Sequence, residues 1–220
     1  MPSLTVENYV KAIYQICADQ QGAPAATGQI AASLSLLPGT VTSMLKTLSE
    51  SSLATYTPYE GVMLTPAGTA LALRVLRRHR LIELFLVRTL DLTWDEVHEE
   101  AEHMEHAVSD WLVDRMDKYL DHPEVDPHGD PIPRADGSVP DSQHRTLTDC
   151  KAGQRFRLVR VVDQSPEFLR YLTSSGLLLG TEGTIQANSQ EAATVTVAVE
   201  GKSTSLGHEA AAKVLVQVVE

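Results

Sequence analysis

The sequence predicts a mainly α-helical N-terminal part, comprising a winged helix-turn-helix and a second helical region, followed by a small all-β barrel. Apolar residues recur at helical spacing as far as about residue 120, whereas they alternate as in β-strands from Thr146 onward. Between these regions lies HPEVDPHGDPIPRADGSVPDSQ, a segment rich in proline, glycine and aspartate that we interpret as a partly ordered linker.

The composition is that of a globular protein, with 43% hydrophobic and 21% charged residues in a chain of 220. No apolar run reaches the ~18 to 20 residues needed to span a membrane, and the N-terminus lacks the pattern of a signal peptide. We therefore expect a cytoplasmic protein with no membrane partner. Cys17 and Cys150 are far apart in sequence and are not expected to form a disulfide.

The first 72 residues carry the pattern of a DNA-binding domain. Helices are predicted over residues 5–18, 27–36 and 40–53, with a turn at residues 37–39 between the last two. Residues 54–64 form two short β-rich stretches around a turn that contains proline and glycine. A hairpin directly after a helix-turn-helix is typical of a wing.

Short hydroxyl side chains and one lysine lie on the polar side of the third helix. Hydroxyl groups can contact base edges, thymine methyl groups and phosphates, and a lysine can contact the DNA backbone. The alternative is an ordinary polar helix face. The candidate DNA-binding residues on this helix, its preceding turn and the wing are Pro38, Thr40, Thr42, Ser43, Lys46 and Tyr59.

The charge distribution bears on this assignment. Affinity for duplex DNA depends on neutralised phosphates, so a net charge of −11 by itself argues against a nucleic-acid partner. The charges are segregated, however: five arginines lie between residues 74 and 88, whereas residues 91–126 are densely acidic. This segregation permits a basic surface on an acidic protein.

Two further helices are predicted, one from Pro66 to about residue 90 and one from Thr93 to about residue 120. At 100° per residue, ionisable side chains share a narrow arc beside the apolar stripe of each helix. Either these groups form ion pairs or line a helix interface, or they bind a divalent cation. They are His79 and Glu83 on the first helix, and His98, Glu102, Glu105 and His106 on the second.

Ligand chemistry restricts the metal. Carboxylate oxygens with imidazole nitrogens suit manganese(II) or iron(II), and neither helix contains a cysteine that would favour zinc or copper(I). Two other functions stay open at this point. One is a di-iron carboxylate enzyme, although a single ExxH, Glu100 to His103, fits that pattern. The other is a winged-helix regulator that no metal controls.

Three motifs, RRHRLIE, VHEEAEHMEH and DPHGDPIP, together resemble the diphtheria toxin repressor and manganese transport regulator family. The resemblance covers nearly the whole chain. It implies a homodimer that binds operator DNA when metal is bound and represses genes for metal-ion uptake and homeostasis. It also implies that the C-terminal part is a Src-homology-type barrel similar to ferrous iron transport protein A.

The resemblance also implies ligand sets. His79, Glu83 and His98 match one metal site of the family, and Glu102, Glu105 and His106 match the other. Glu102 stands where the iron-responsive branch has cysteine and the manganese-responsive branch has glutamate, which favours manganese(II) over iron(II). Asn8 departs from both branches but offers a carbonyl oxygen to a hard cation. Lys11 stands where a manganese-type ligand glutamate is expected.

In the iron-responsive branch of the family, a glutamate and a glutamine of the barrel complete the metal site that His79, Glu83 and His98 match. Gln164 and Glu167 match that pair with the two residue types exchanged, and Glu167 is the preferred ligand because it carries charge. Alternatively, Glu167 is a solvated residue at the start of a helix, where the helix dipole favours a negative charge. The expected domains are residues 1–72 for DNA binding, 73–130 for dimerisation and metal binding, 131–145 for the linker and 146–220 for the barrel.

Overall fold

The computed structural model describes residues 3–140 and 144–219, which belong to two compact units. Residues 141–143 of the predicted linker lie outside the described residues. The first unit comprises Met1–His79, His103–Asp110 and Pro133–Ser138, and the second comprises Arg80–Glu102, Trp111–Ile132 and Val139–Glu220. In the described part of the chain, no helix is both long enough and apolar enough to cross a membrane.

The first unit contains the predicted winged helix-turn-helix. Helix α1 begins after Ser3, whose hydroxyl caps the first turn, and an antiparallel hairpin follows the helix-turn-helix. The elements are α1 (Leu4–Asp19), α2 (Thr27–Ser33), α3 (Pro38–Glu50), β1 (Ala54–Thr57), β2 (Gly61–Leu64) and the start of α4 (Pro66–Leu90). Its core includes the fully buried Ile13, Ile30 and Leu45, each of which contributes about 1.5 to 3 kcal/mol by burial.

The turn of the helix-turn-helix differs in one detail from the prediction. Pro38 and Gly39 were expected in the turn, but they form the first residues of α3. Proline is well suited to this position because the first N–H groups of a helix have no carbonyl partner within it. The turn lies earlier, at Ser35, whose backbone φ is +53°.

The second unit contains the rest of α4, together with most of α5 (Val97–Met104) and most of α6 (Asp110–Tyr119). The single helix predicted from Thr93 is therefore wrong. Helix α5 starts at Val97, after a turn from Thr93 to Glu96 in which the Glu96 carboxylate accepts hydrogen bonds from the backbone N–H and the hydroxyl of Thr93. It ends at Met104, whose carbonyl accepts from both Ala107 and Val108 at 2.9 and 3.1 Å.

The C-terminal part of the second unit is a small β-barrel-like domain, as predicted. Its strands are all antiparallel to their neighbours in the order β3-β8-β4-β5-β6-β7. They are β3 (Arg145–Thr146), β4 (Arg155–Val161), β5 (Glu182–Ser189), β6 (Thr194–Val199), β7 (Lys202–Gly207) and β8 (Val214–Val219), with a short 3-10 helix (Leu147–Asp149), α7 (Pro166–Ser174) and α8 (His208–Ala211).

The strands that were predicted from the sequence are those that bury several apolar side chains in the barrel core. Strand β6 alternates buried and half-buried residues, and Phe156 of β4 and Ile185 of β5 are fully buried. Strand β7 was not predicted because its sequence, KSTSLG, buries a single apolar side chain, Leu206. Trp94 also belongs to this core, and its indole N–H donates to the Thr173 hydroxyl at 2.9 Å.

Candidate metal sites and DNA-binding surface

The exposed face of α3 and the wing border one cleft in the first unit. The cleft has a volume of about 550 Å³, and its lining includes Thr42, Lys46, Tyr56 and Tyr59. Tyr59, at the tip of the wing, is fully exposed and has a backbone φ of +69°. The wing therefore presents an aromatic side chain beside a helix with a free polar face.

The predicted DNA-binding residues of α3 are accessible. Pro38, Thr40, Ser43 and Lys46 are exposed, and Thr42 is half-buried. The hydroxyls of Thr42 and Ser43 donate to carbonyls one turn earlier, at 3.0 and 3.1 Å, so their oxygen lone pairs remain available as acceptors. The face can thus contact base edges and phosphates.

Two arginines of α4 do not add to this surface. Arg77 is buried and donates to the Pro133 carbonyl at 3.2 Å, and Arg78 is buried and donates to Asp110 at 2.8 Å. The arginine-rich segment therefore does not form the free basic surface that the charge distribution permitted.

A buried polar cluster in the first unit joins α1 to the turn after α5. The Nδ1 atom of His79 lies 2.6 Å from Glu105 Oε2, and the ammonium of Lys11 donates to both Glu105 oxygens at 2.9 and 2.8 Å. Burial alone would raise the pKa of Glu105, but hydrogen bonds from His79 and Lys11 and their charges lower it. The Glu105 carboxylate is therefore ionised.

His106 extends this cluster. Its Nδ1 atom is 2.7 Å from Glu7 Oε2, and its buried Nε2 atom lies 3.2 Å from Glu105 Oε1 without the geometry of a hydrogen bond. A carboxylate that orients one imidazole nitrogen, and so leaves the other nitrogen able to bind a metal ion, is frequent in protein metal sites. The buried Oδ1 atom of Asn8 likewise has no hydrogen-bond partner among the described residues. These donors fit a hard divalent cation.

The remaining ligands predicted on α4 and α5 lie in the second unit. His98 Nδ1 is 3.3 Å from Glu83 Oε1, and His98 Nε2 is 3.9 Å from Glu102 Oε1. Glu83 is fully buried, whereas the side chain of His98 is 45% exposed. The predicted grouping of His79 with Glu83 and His98, and that of Glu102 with Glu105 and His106, stay predictions.

A second buried cluster lies wholly in the second unit and was not predicted. Glu83, Asp126 and His128 each offer a ligand atom, and these atoms all lie within 4.8 Å of one another. His128 Nδ1 is 3.7 Å from Glu83 Oε2 and 4.0 Å from Asp126 Oδ1, and it has no hydrogen-bond partner among the described residues. Two carboxylates and an imidazole form a suitable set for manganese(II) or iron(II).

The electrostatics of this cluster follow from its burial. Burial raises the pKa of Asp126 to about 7, and the charges of Asp130 and Glu83 add to the rise. Burial alone would lower the pKa of His128, but Glu83 and Asp126 raise it to about 9. In the absence of a metal ion, a proton on His128 therefore balances part of the negative charge.

The loop that carries Asp126 and His128 is tightly built rather than a loose linker. Asp126 Oδ1 accepts from the backbone of His128 and of Asp130, and His128 Nε2 is 2.7 Å from the Trp94 carbonyl. Gly129 has a φ of +86°, and a Cβ atom there would lie 2.0 Å from the Val159 carbonyl oxygen. Glycine is required because this loop packs directly against β4.

The two barrel residues proposed as ligands differ in position. The Gln164 amide donates to Asp130 at 2.7 Å, next to the loop that carries Asp126 and His128. Glu167 is the second residue of α7, its side chain is 82% exposed, and it pairs with Arg170 at 3.4 Å. The exposure of Glu167 favours the alternative of a solvated glutamate at a helix start.

Glu7, Asp126 and His128 are the site residues that the sequence analysis missed. Glu7 and Lys11 are spaced four residues apart on a helix side that is otherwise apolar, which was a usable signal. The DPHGDPIP motif contributed only to the family resemblance, although its aspartates and histidine are potential metal ligands. Their meeting with Glu83 depends on a loop that sequence periodicity does not describe.

The exposed positions of Glu100 and His103 on α5 give no support to the di-iron alternative.

The three parts of the chain match three family models. Residues 1–62 match the N-terminal DNA-binding domain of iron-dependent repressors, residues 65–134 match the metal-binding and dimerisation domain of that family, and residues 145–218 match the FeoA domain.

Relatives match over the whole length. The chain is 30% identical to the diphtheria toxin repressor of Corynebacterium glutamicum over 227 residues, covering 98% of this chain and 97% of that protein. It is 28% identical to the iron-dependent repressor IdeR of Mycobacterium leprae over 228 residues, with the same coverage. A solved manganese-dependent transcriptional repressor in complex with manganese is 37% identical, with a TM-score of 0.87 over 97% of this chain and all of that chain. The chain therefore belongs to the iron-dependent repressor family and is a metal-dependent, DNA-binding transcriptional repressor rather than an enzyme.

Proposed function

We propose that the protein is a cytoplasmic homodimer that manganese(II) activates to bind operator DNA and repress genes for metal-ion uptake and homeostasis. The ligand chemistry of both clusters supports manganese(II) or iron(II), and the glutamate at position 102 favours manganese(II). Every candidate ligand is an oxygen or an imidazole nitrogen, and the two cysteines of the chain, Cys17 and Cys150, belong to neither cluster. Iron(II) is the alternative metal for such ligands.

In the second unit, Glu83, Asp126 and His128 would hold one ion. In the first, Glu105 and His106 would hold another, with Asn8 as a further ligand. Glu102, in the second unit, stays a predicted ligand. A divalent cation would add positive charge to clusters in which carboxylates outnumber the cationic side chains. Because the metal is proposed to bind the DNA-competent conformation more tightly, it raises DNA affinity, and DNA raises metal affinity by the same factor.

The homodimer is supported by apolar side chains on the surface of the second unit. Trp111 and Tyr119 of α6 are each 68% exposed, and Leu112 is 40% exposed. Phe85, Leu112, Met116 and Tyr119 line a cleft of about 490 Å³ on this surface. Large exposed apolar side chains that cluster in this way are typical of subunit interfaces.

The metal dependence is tested with an operator obtained by in vitro selection from random duplexes. Binding to this duplex is titrated anaerobically with manganese(II) and iron(II) separately, with a chelator as the metal-free reference. We expect manganese(II) to activate binding and the chelator to abolish it. If the protein binds the duplex equally well with metal and with chelator, metal activation is excluded and the alternative is a winged-helix regulator that no metal controls.

The choice of metal is tested at Glu102. Glu102→Cys replaces a hard carboxylate with a soft thiolate and should shift activation from manganese(II) toward iron(II) or zinc(II). The conservative variant Glu102→Asp serves as control, since it keeps the ligand type. An unchanged order of activating metals in Glu102→Cys would show that other residues set the preference.

The DNA contact is supported by the exposed face of α3 and the neighbouring wing. Lys46→Ala should weaken operator and random DNA alike and reduce the salt dependence by about one phosphate contact. Thr42→Ala and Ser43→Ala should instead change sequence preference. The selection is repeated with each variant, and wild-type behaviour in all three would assign DNA reading to another element.

A further inference from the structure

Lys11 is a buried cation in the middle of the proposed metal ligands of the first unit. Its side chain is 8% exposed. Its Nζ atom lies 2.9 and 2.8 Å from the two Glu105 oxygens and 3.3 Å from His79 Nδ1. A lysine side chain is rarely so deeply buried without a charged partner, and Glu105, which is fully buried, supplies that partner.

The atoms that Lys11 contacts are those that a metal ion would use. The Lys11 ammonium donates to both carboxylate oxygens of Glu105, and the His79 Nδ1 atom, 2.6 Å from Glu105 Oε2, lies beside them. Carboxylate oxygens and a neutral imidazole nitrogen are also the donors that bind manganese(II). A lone pair that accepts from the ammonium cannot at the same time bind a metal ion.

We infer that the Lys11 ammonium is a built-in cation that takes the place of one divalent metal ion between His79 and Glu105. The inference rests on the proposed function, because it concerns how many ions the metal-responsive clusters hold. His106 Nε2, 3.2 Å from Glu105 Oε1, remains directed at the other side of this carboxylate. Glu105 can therefore serve Lys11 and one metal ion, but not two metal ions.

The inference predicts the metal content of a Lys11 variant. Lys11→Glu replaces the ammonium with a carboxylate beside His79 and Glu105. We expect this variant to bind one manganese(II) more per chain than the wild type, measured by equilibrium dialysis and elemental analysis. Without metal it should melt at a lower temperature than the wild type, and manganese(II) should raise its Tm by more, because only the variant needs an ion at this position.

Two control variants separate this effect from a general loss of charge. Lys11→Arg keeps the cation and should bind as many manganese(II) ions as the wild type. Lys213→Met removes a lysine that pairs with Asp163 at 3.0 Å in the second unit, and it should gain no ion. An equal metal content in Lys11→Glu and the wild type would overturn the inference.

A measurement on the wild type decides the question even if Lys11→Glu does not fold. Anomalous scattering from crystals grown with manganese(II) should show no ion bound to both His79 and Glu105. An ion on both residues, with Lys11 displaced, would overturn the inference while leaving the proposed function intact. A wild type that binds no manganese(II) at all would instead overturn both.

Discussion

The two buried clusters balance their carboxylates in different ways. In the first unit, Glu105 is paired with the Lys11 ammonium, a cation fixed to the chain. In the second, Glu83 and Asp126 face His128, which carries a proton because its pKa is raised to about 9, while the Arg80 guanidinium lies 3.7 Å from Asp126 Oδ2. The Lys11 ammonium is covalently part of the chain, whereas the proton on His128 can exchange with solvent.

This difference has a consequence for metal response. Buried charge is costly unless it is compensated, so each cluster requires a positive group at all times. A metal ion entering the second unit displaces an exchangeable proton from His128. In the first unit, the Lys11 ammonium occupies one side of Glu105, so a metal ion can bind only on the side that faces His106. The second unit should therefore couple metal binding to pH more strongly than the first.

The largest effect is expected from breaking the fixed pair. Glu105→Ala leaves the Lys11 ammonium buried without its carboxylate and should lower the free energy of unfolding by about 3 to 5 kcal/mol, measured by urea denaturation without metal. Glu105→Ala should also abolish metal-dependent DNA binding. In a Lys11→Met background the same change should cost much less. Equal costs in the two backgrounds would show that the ion pair does not stabilise the first unit.

The next effect concerns the exchangeable cluster. His128→Ala removes the imidazole from the group formed by Glu83, Asp126 and His128. Loss of a residue that only hydrogen-bonds to a metal ligand lowers metal affinity by roughly 10- to 100-fold. Because His128 is proposed to bind the ion directly, the manganese(II) affinity of the variant should fall by at least as much. His122→Ala is the matched control, since His122 pairs with Asp117 on the surface of the same unit. A similar loss in both variants would exclude His128 as a ligand.

A smaller, graded effect is expected from pH. Metal binding requires His128 to lose a proton of pKa about 9, so the affinity of the second cluster should rise about tenfold per pH unit from 7 to 9. Below pH 7 the rise should be steeper, because Asp126, with a pKa of about 7, must also lose a proton. Competition with a chelator of known pH dependence measures this slope. A slope that persists in His128→Ala would contradict its assignment to His128.

The smallest effects are expected in the barrel. Gln164→Ala removes a hydrogen bond to Asp130, which contacts the loop of the second cluster, and should weaken manganese(II) binding by about 10-fold or less. Glu167→Ala should leave metal stoichiometry and affinity unchanged, because this side chain is solvated. Isothermal titration compares the two. Loss of one metal equivalent in Glu167→Ala would restore Glu167 as a ligand.

Helical and strand periodicity predicted most of the elements. The winged helix-turn-helix and strands β4, β5, β6 and β8 were predicted because each has a regular apolar pattern. Periodicity did not reveal the break after Met104, because apolar residues keep helical spacing across it, as Ala101, Met104 and Val108 show. The domain boundaries at residues 72, 130 and 145 stay predictions.

The sequence by itself determined which chemical groups this protein places beside its apolar surfaces. His79, Glu83, Glu105 and His106 were identified because helical spacing alone fixes the side of a helix on which a residue lies. Only the tertiary structure decided how these groups are paired. Lys11 meets Glu105 across 94 residues, and Asp126 and His128 reach Glu83 through a loop that Gly129 packs against β4. Such contacts depend on burial, where an uncompensated charge is costly, and no periodic pattern within one helix encodes them.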